Sequence, residues 1–199
     1  DFNKEKMTCT VEPGIVLDEL NRFLKPFGLW FPVDVSTSSR ATIGGMTGNN
    51  SCGGRSIRYG MMRDNVLGIE AILSNGSTYN FGKIENNHIN LTHDPATKII
   101  SDLLKLAKDN QNEILSKFPK VLRRVGGYNI DALLPDAMAL RPNGKPGDGI
   151  NLSHLLVGSE GTLAYSCSIT LKLSLLPSKK IMGVCHFPSF YEAMDAAQH

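Results

Sequence analysis

Six of the chain's 19 glycines fall within 20 of its 199 residues, in the string Ala41-Thr-Ile-Gly-Gly-Met-Thr-Gly-Asn-Asn-Ser-Cys-Gly-Gly-Arg-Ser-Ile-Arg-Tyr-Gly60. Glycine tolerates positive φ and lets another group approach the backbone closely. Such a stretch can aim several N–H groups at an anionic or extended ligand. The interleaved Thr, Asn and Ser add neutral donors and acceptors, and Asp64 is the one carboxylate near its end. This is backbone suited to wrapping a cofactor. A second glycine-flanked loop, Gly158-Ser-Glu-Gly161, lies about a hundred residues downstream.

Other chemistries find no support. There is no Gly-x-Gly-x-x-Gly after a strand and no Gly-x-x-x-x-Gly-Lys-Ser/Thr, so a Rossmann dinucleotide fold or a P-loop is not indicated. No nucleophile and base are paired. His88, His93, His154, His186 and His199 are scattered without metal-ligand spacing. Cys9, Cys52, Cys167 and Cys185 include no Cys-x-x-Cys, which argues against a zinc ribbon or an iron–sulfur cradle in this chain. They read as reduced thiols of a cytoplasmic protein. Asn-x-Ser/Thr sites at Asn49, Asn75, Asn90 and Asn151 carry no weight without a secretion signal, and Asp1 to Lys6 offers none.

With 41% hydrophobic and 20% charged residues, the composition is that of a globular chain long enough to bury a core. A formal charge of +2 gives no case for a nucleic-acid partner. No apolar run reaches the roughly 18 residues that span a bilayer, so no transmembrane segment is expected.

The elements that must position the glycine-rich segments alternate in type. Lys6 to Val11 reads as a strand closed by Glu12-Pro-Gly14, and Val16 to Phe23 as an amphipathic helix. Short helical turns and loop are expected through the glycine-rich stretch. Asn65 to Leu73 reads as a strand, Ser74-Asn-Gly-Ser77 as a hairpin turn and Thr78 to Phe81 as the returning strand. Ile84 to His93 is polar and irregular. Lys98 to Phe118 reads as one long helix, Arg141 to Gly149 as a loop and Asn151 to Leu156 as a short helix. Tyr165 to Leu173 and Lys180 to Phe187 read as strands, and Ser189 opens a helix. Strands that flank helices without a βαβ rhythm suggest α+β with a largely antiparallel sheet. Both ends look cut, as in a fragment of a larger protein.

The ordered set Val11-Glu-Pro-Gly14, Pro32-Val-Asp34, Ala41 to Gly45, Asn49/Asn50, Gly53-Gly54, Tyr59-Gly60, Arg63-Asp-Asn-Val-Leu-Gly68, Asn75-Gly76 and Gly158 to Leu163 resembles the FAD-binding PCMH-type domain of the vanillyl-alcohol-oxidase superfamily. The branch is that of the FAD-linked glycolate oxidases, D-lactate dehydrogenases and D-2-hydroxyglutarate dehydrogenases. The string Arg123-Arg-Val-Gly-Gly-Tyr-Asn-Ile-Asp-Ala-Leu133 resembles the subgroup fused to a C-terminal iron–sulfur module.

The resemblance implies an α+β FAD domain of two subdomains, here the second, over residues 1–187, with a helical insertion at about 98–135. Residues 188–199 would begin the following substrate or cap domain. It places Thr42, Ile43, Gly44 and Gly45 along the pyrophosphate and ribityl chain, and Asn49, Gly53 and Gly54 close to the flavin ring or ribityl hydroxyls, with Asn50 and Gly158 also in the cofactor site. It adds Pro32, Tyr59 and Gly60 to the cofactor site. Glu160 and Gly161 would face the adenine–ribose half, and Ile169 would offer backbone contacts. Catalytic residues and metal ligands are not assigned: the family's first phosphate loop would precede Asp1, and its substrate arginine and metal ligands would follow His199. Cys167 and Ser168 depart from the family's residues in their strand.

Several residues admit two readings. Cys52 is either redox-active beside a flavin or a small packing residue. His154 is either near a ligand or a satisfied histidine on a helix surface. Arg123 and Arg124 either hold phosphate or carboxylate or form a structural pair. Arg55 and Arg58 either neutralise phosphate or are solvated, while Trp30 and Phe31 read as core. The resemblance implies a flavin-dependent dehydrogenase oxidising a D-2-hydroxyacid, with an iron–sulfur module or another electron acceptor as partner. The alternatives are a non-catalytic flavin-binding subunit and a scaffold domain.

Overall fold

The structure, a computed structural model, describes residues 1–84, 95–121, 123–134, 149–179 and 181–197. In chain order its elements are β1 (Phe2–Asn3), β2 (Thr8–Val11), α1 (Leu17–Leu24), β3 (Leu29–Trp30), α2 (Ile43–Gly48), α3 (Ser56–Tyr59), α4 (Met62–Asn65), β4 (Val66–Ile72) and β5 (Thr78–Phe81). There follow β6 (Lys83–Ile84), α5 (Pro95–Asp109), α6 (Gln111–Lys117), β7 (Ile150–Asn151), α7 (Ser153–Leu156), β8 (Tyr165–Lys172), β9 (Ser174–Leu175) and α8 (Phe190–Ala196). The expected loop through Arg141 to Asp148 and most of the irregular stretch after Ile84 lie outside the described residues.

Five strands form one antiparallel sheet in the order β1-β2-β8-β4-β5. Strand β8 is central because its apolar side chains, Ile169 and Leu171, are fully buried, and it pairs with β2 and β4 on its two edges. In β4 alternation buries Ile69 and Ala71 and exposes Glu70 and Ile72, and the register shift between Val66 and Gly68 keeps Val66 buried as well. Two register shifts in the β4–β8 pair bend the sheet. The Asn75-Gly76 hairpin forms as its residues dictate, with Gly76 at φ +83° and Leu73 N–H bonded to Ser77 O. Helix α1 buries Leu17, Leu20 and Leu24 and packs on β3. Asn21 on α1 then fixes the chain beyond β3 by accepting from Phe31 N–H at 2.7 Å and donating to Phe31 O at 3.3 Å.

Three expectations are corrected. The Lys98–Phe118 helix is two helices, broken at Asn110, whose side chain donates to Leu106 O at 2.8 Å and competes with helical continuation. The short helix near Asn151 starts at Ser153, because Asn151 pairs with Lys83 and its amide donates to Leu67 O. Residues 181–187 form no strand: Ile181 is 97% exposed and Met182 88%, and no edge among the described residues pairs with them.

Cys9 in β2 is 3% exposed. Burial pushes its thiol up from 9.0 to about 11, opposed by the nearby N-terminal ammonium. The folded state thus holds this proton more tightly than the unfolded chain does. The corresponding stability is fully present below pH 9 and is lost as pH rises towards 11, by up to ~2–3 kcal/mol. Urea unfolding at pH 8 and pH 11 should show a larger loss for wild type than for Cys9→Ala; equal losses would refute this origin.

Candidate functional site

Helix α2 starts where Thr42 turns from extended backbone and its Oγ1 accepts from Gly45 N–H at 3.2 Å. It ends at Asn49, and Asn50 follows with φ +51°. Beside it lies a cavity of about 710 Å³, a size common among cofactor sites. Its walls are Val35, Ser36 and Thr37 after β3; Ala41, Thr42, Gly45, Met46 and Asn49 around α2; Ser51 and Cys52; Val125 and Gly126; and Glu160. The lining offers four hydroxyls, an amide, a thiol and one carboxylate among apolar patches, and among the described residues no lysine or arginine. That chemistry suits an extended ligand with both hydroxyl-rich and apolar parts.

Of the residues expected at a cofactor, Thr42, Gly45, Asn49 and Glu160 meet in this cavity. The others have different positions. Pro32 is buried in the chain between Phe31 and Val33, and Ile43 is core. Gly44 is a packing glycine: a Cβ there would lie 2.6 Å from Pro13 Cβ. Gly53 is equally enclosed, with no room for a Cβ beside Asp34, and Gly60 (φ +79°) abuts Asp64. Gly54 and Gly161 are exposed and open, and Tyr59 stacks edge-on against Trp30. Ile169 is core and paired on both edges, with Val11 and Ile69.

The amides at the start of α2 have partners within the chain. Ile43 N–H donates to Ile15 O at 2.9 Å, Gly44 N–H to Pro13 O at 2.8 Å and Gly45 N–H to the Thr42 hydroxyl. These amides tie α2 to the Pro13-Gly14 turn. Gly45 lines the cavity, and a Cβ there would stand 3.2 Å from the Thr42 hydroxyl.

The two glycine-rich motifs are joined by backbone. Gly158 N–H donates to Thr47 O and Glu160 N–H to Gly48 O, both at 2.9 Å. Behind them lies a polar network. Arg63, 6% exposed, donates from Nη1 to Asn129 Oδ1 at 2.7 Å and sits 3.8 Å from Asp131. Arg124 donates from Nη2 to Asn129 Oδ1 at 3.0 Å and to Asp131 Oδ1 at 2.5 Å, and lies over the Phe118 ring at 4.4 Å. Asn129 Nδ2 donates to Val157 O and His154 O. The Asn50 side chain accepts from Arg63 N–H and donates to Arg124 O.

Of the two readings open for the arginines, Arg124 takes the structural one. Arg123 donates to Gly53 O at 2.8 Å from the surface. Arg55 lies over Trp30 and Arg58 over Tyr59. His154 is buried rather than on a helix surface. Val35, Ser36, Thr37 and Gly126 were not singled out by sequence, because nothing in the local pattern marks a loop residue as facing a cavity. Among the described residues no cluster of His, Cys, Asp and Glu could hold a metal ion, and no helix is long and apolar enough to cross a membrane.

Residues 1–82 match the family described as FAD binding domain. Over 99% of its length the chain is 34% identical to a D-2-hydroxyglutarate dehydrogenase of Pantoea ananatis, of which it covers 18%. Over 98% it is 30% identical to a probable mitochondrial D-lactate dehydrogenase of Danio rerio, of which it covers 28%. The chain thus spans less than a third of either relative. A solved alkyldihydroxyacetonephosphate synthase superposes on 98% of the chain and 24% of its own with a TM-score of 0.57 at 19% identity, a likeness of fold alone.

Backbone strain at the junction is testable. Gly158 has φ +86°, and a Cβ there would stand 3.3 Å from Asn50 Cβ. Gly158→Ala should destabilise the chain by about 1–3 kcal/mol. Glu160 sits at φ +53° with a side chain, so Glu160→Gly should stabilise it by up to ~1 kcal/mol. Thermal unfolding of the two variants should shift in opposite directions; a shift of the same sign would contradict these assignments.

Proposed function

We propose that this chain forms the flavin-contacting part of an FAD-dependent dehydrogenase that oxidises a D-2-hydroxyacid of the lactate, glycolate or 2-hydroxyglutarate class. The observation that carries the reading is the meeting of Thr42, Gly45, Asn49 and Glu160 at one cavity, although Glu160 lies over a hundred residues from the others. The match of residues 1–82 to an FAD binding domain and the names of the relatives support it. When bound, FAD would supply the hydride acceptor at N5.

The residues present fit that cofactor. Ser36, Thr37, Thr42, Asn49 and Ser51 offer neutral hydrogen-bonding groups to hydroxyls and phosphate oxygens. Glu160 can accept from ribose or ribityl hydroxyls, and Val35, Met46 and Val125 offer apolar surface to a ring. Gly53, Gly54, Gly60, Gly161, Pro32, Tyr59 and Ile169 would act by holding these walls in place. Residues 1–187 would be the FAD domain and 188–199 the start of a substrate domain. The electron acceptor would be an iron–sulfur module or another carrier, as the Arg123–Leu133 string suggests. A cytoplasmic setting agrees with four free cysteines.

The test is the visible spectrum of the purified chain after FAD addition and desalting. A retained, protein-perturbed flavin band is expected. Gly45→Leu should weaken binding at least about tenfold by filling the cavity, and bound FAD should shield Cys52 from alkylation. A chain that stays colourless, also when extended at its N-terminus, would refute the FAD reading. Flavin binding without oxidation of D-lactate, glycolate or D-2-hydroxyglutarate by a longer form would favour the non-catalytic subunit.

A further inference from the structure

Two walls of the cavity come from segments with no backbone pairing to each other. One is Val125–Gly126, directly after Arg124; the other is Glu160, three residues after Val157. Asn129 lies between these segments at 2% exposure and is not itself a lining residue. Its Oδ1 accepts from Arg124 at 3.0 Å and from Arg63 at 2.7 Å, and its Nδ2 donates to the carbonyls of Val157 at 2.7 Å and His154 at 3.2 Å. Only a primary amide combines an acceptor able to take two donors with a group able to give two hydrogens. Glutamine would carry it one methylene too far, and an aspartate would present oxygens to two carbonyls.

We propose that Asn129 is a positioning residue of the cavity: it fixes the separation of the Val125–Gly126 wall from the Glu160 wall, and so sets the affinity for FAD without touching it. The inference rests on the FAD reading above. Two further ties span the same gap. Asn50 Nδ2 donates to Arg124 O at 3.2 Å, and at the surface the Tyr128 and Thr162 hydroxyls lie 2.8 Å apart. The buried amide is the tie that reaches both walls from inside, where a hydrogen bond faces least competition from water.

Asn129→Asp keeps the acceptor for both guanidinium groups and removes the donors to Val157 and His154, so it loosens the Glu160 wall alone, which the Gly158–Thr47 and Glu160–Gly48 backbone bonds still tie to α2. Two readouts separate positioning from general loss of structure. The first is the Kd for FAD by flavin fluorescence. The second is the rate at which iodoacetamide labels each thiol of the flavin-free chain, resolved by peptide mass. Cys52 lines the cavity, whereas Cys9 is buried in the sheet and reports opening of the whole fold.

The expected result is a Kd raised at least about tenfold, equal to ~1.4 kcal/mol. Cys52 labelling should rise at least about threefold with Cys9 labelling unchanged, the mark of local rather than global opening. An unchanged Kd, or Cys9 accelerating in step with Cys52, would overturn the proposal. If Asn129→Asp does not fold, Arg124→Lys breaks the fork from its half-buried side and is read in the same way. If the wild-type chain binds no FAD, the functional reading fails on its own, while the two thiol rates still decide whether Asn129 holds the wall.

Discussion

The last carbonyls of a helix must find donors outside it, and in α2 this need organises the molecule. Thr47 O and Gly48 O receive the amides of Gly158 and Glu160. The helix is only six residues long, too short to persist on propensity alone. Its start is tied to the Pro13 turn and Ile15, and its end to a loop over a hundred residues downstream. The cavity is the space left beside a helix held at both ends by distant backbone.

The buried network behind the cavity makes those ties specific. Two guanidinium groups share Asp131 and the Asn129 carbonyl oxygen. Burying charges costs several kcal/mol per ion unless they are paired and hydrogen-bonded, so each member fixes the others. Arg63 precedes β4, Arg124 follows α6, and Asn129 reaches the segment after α7. The network therefore joins the central sheet, the helical pair and the second glycine loop. Phe118 beneath Arg124 extends the tie to the end of α6.

Gly44, Gly53, Gly60 and Gly158 are glycines because neighbouring backbone or side chains stand where a Cβ would be. Gly45 is at the cavity, and a Cβ there would stand 3.2 Å from the Thr42 hydroxyl. A motif dense in glycine thus builds a tight scaffold. Glu160, holding a left-handed backbone with a full side chain, is the reverse case: its carboxylate is kept at the cavity despite the conformational cost.

Local pattern in the sequence was enough for the strands around Ile69 and Ile169, the Asn75-Gly76 hairpin and helix α1. Periodicity, turn chemistry and glycine density are properties of neighbouring residues, and these features depend on little else. Folding in three dimensions was needed for what involves distant partners. The absence of a strand at 181–187 depends on a pairing edge that the described residues do not provide. The use of the Ile43–Gly45 amides depends on carbonyls from another turn. The inclusion of Ser36, Thr37 and Gly126 in the cavity, and the role of Asn129 between Arg63, Arg124 and Val157, arise where segments far apart in sequence meet. A hydrogen bond needs its partner within about 3 Å, and a sequence names the donors and acceptors without saying which of them will be brought that close.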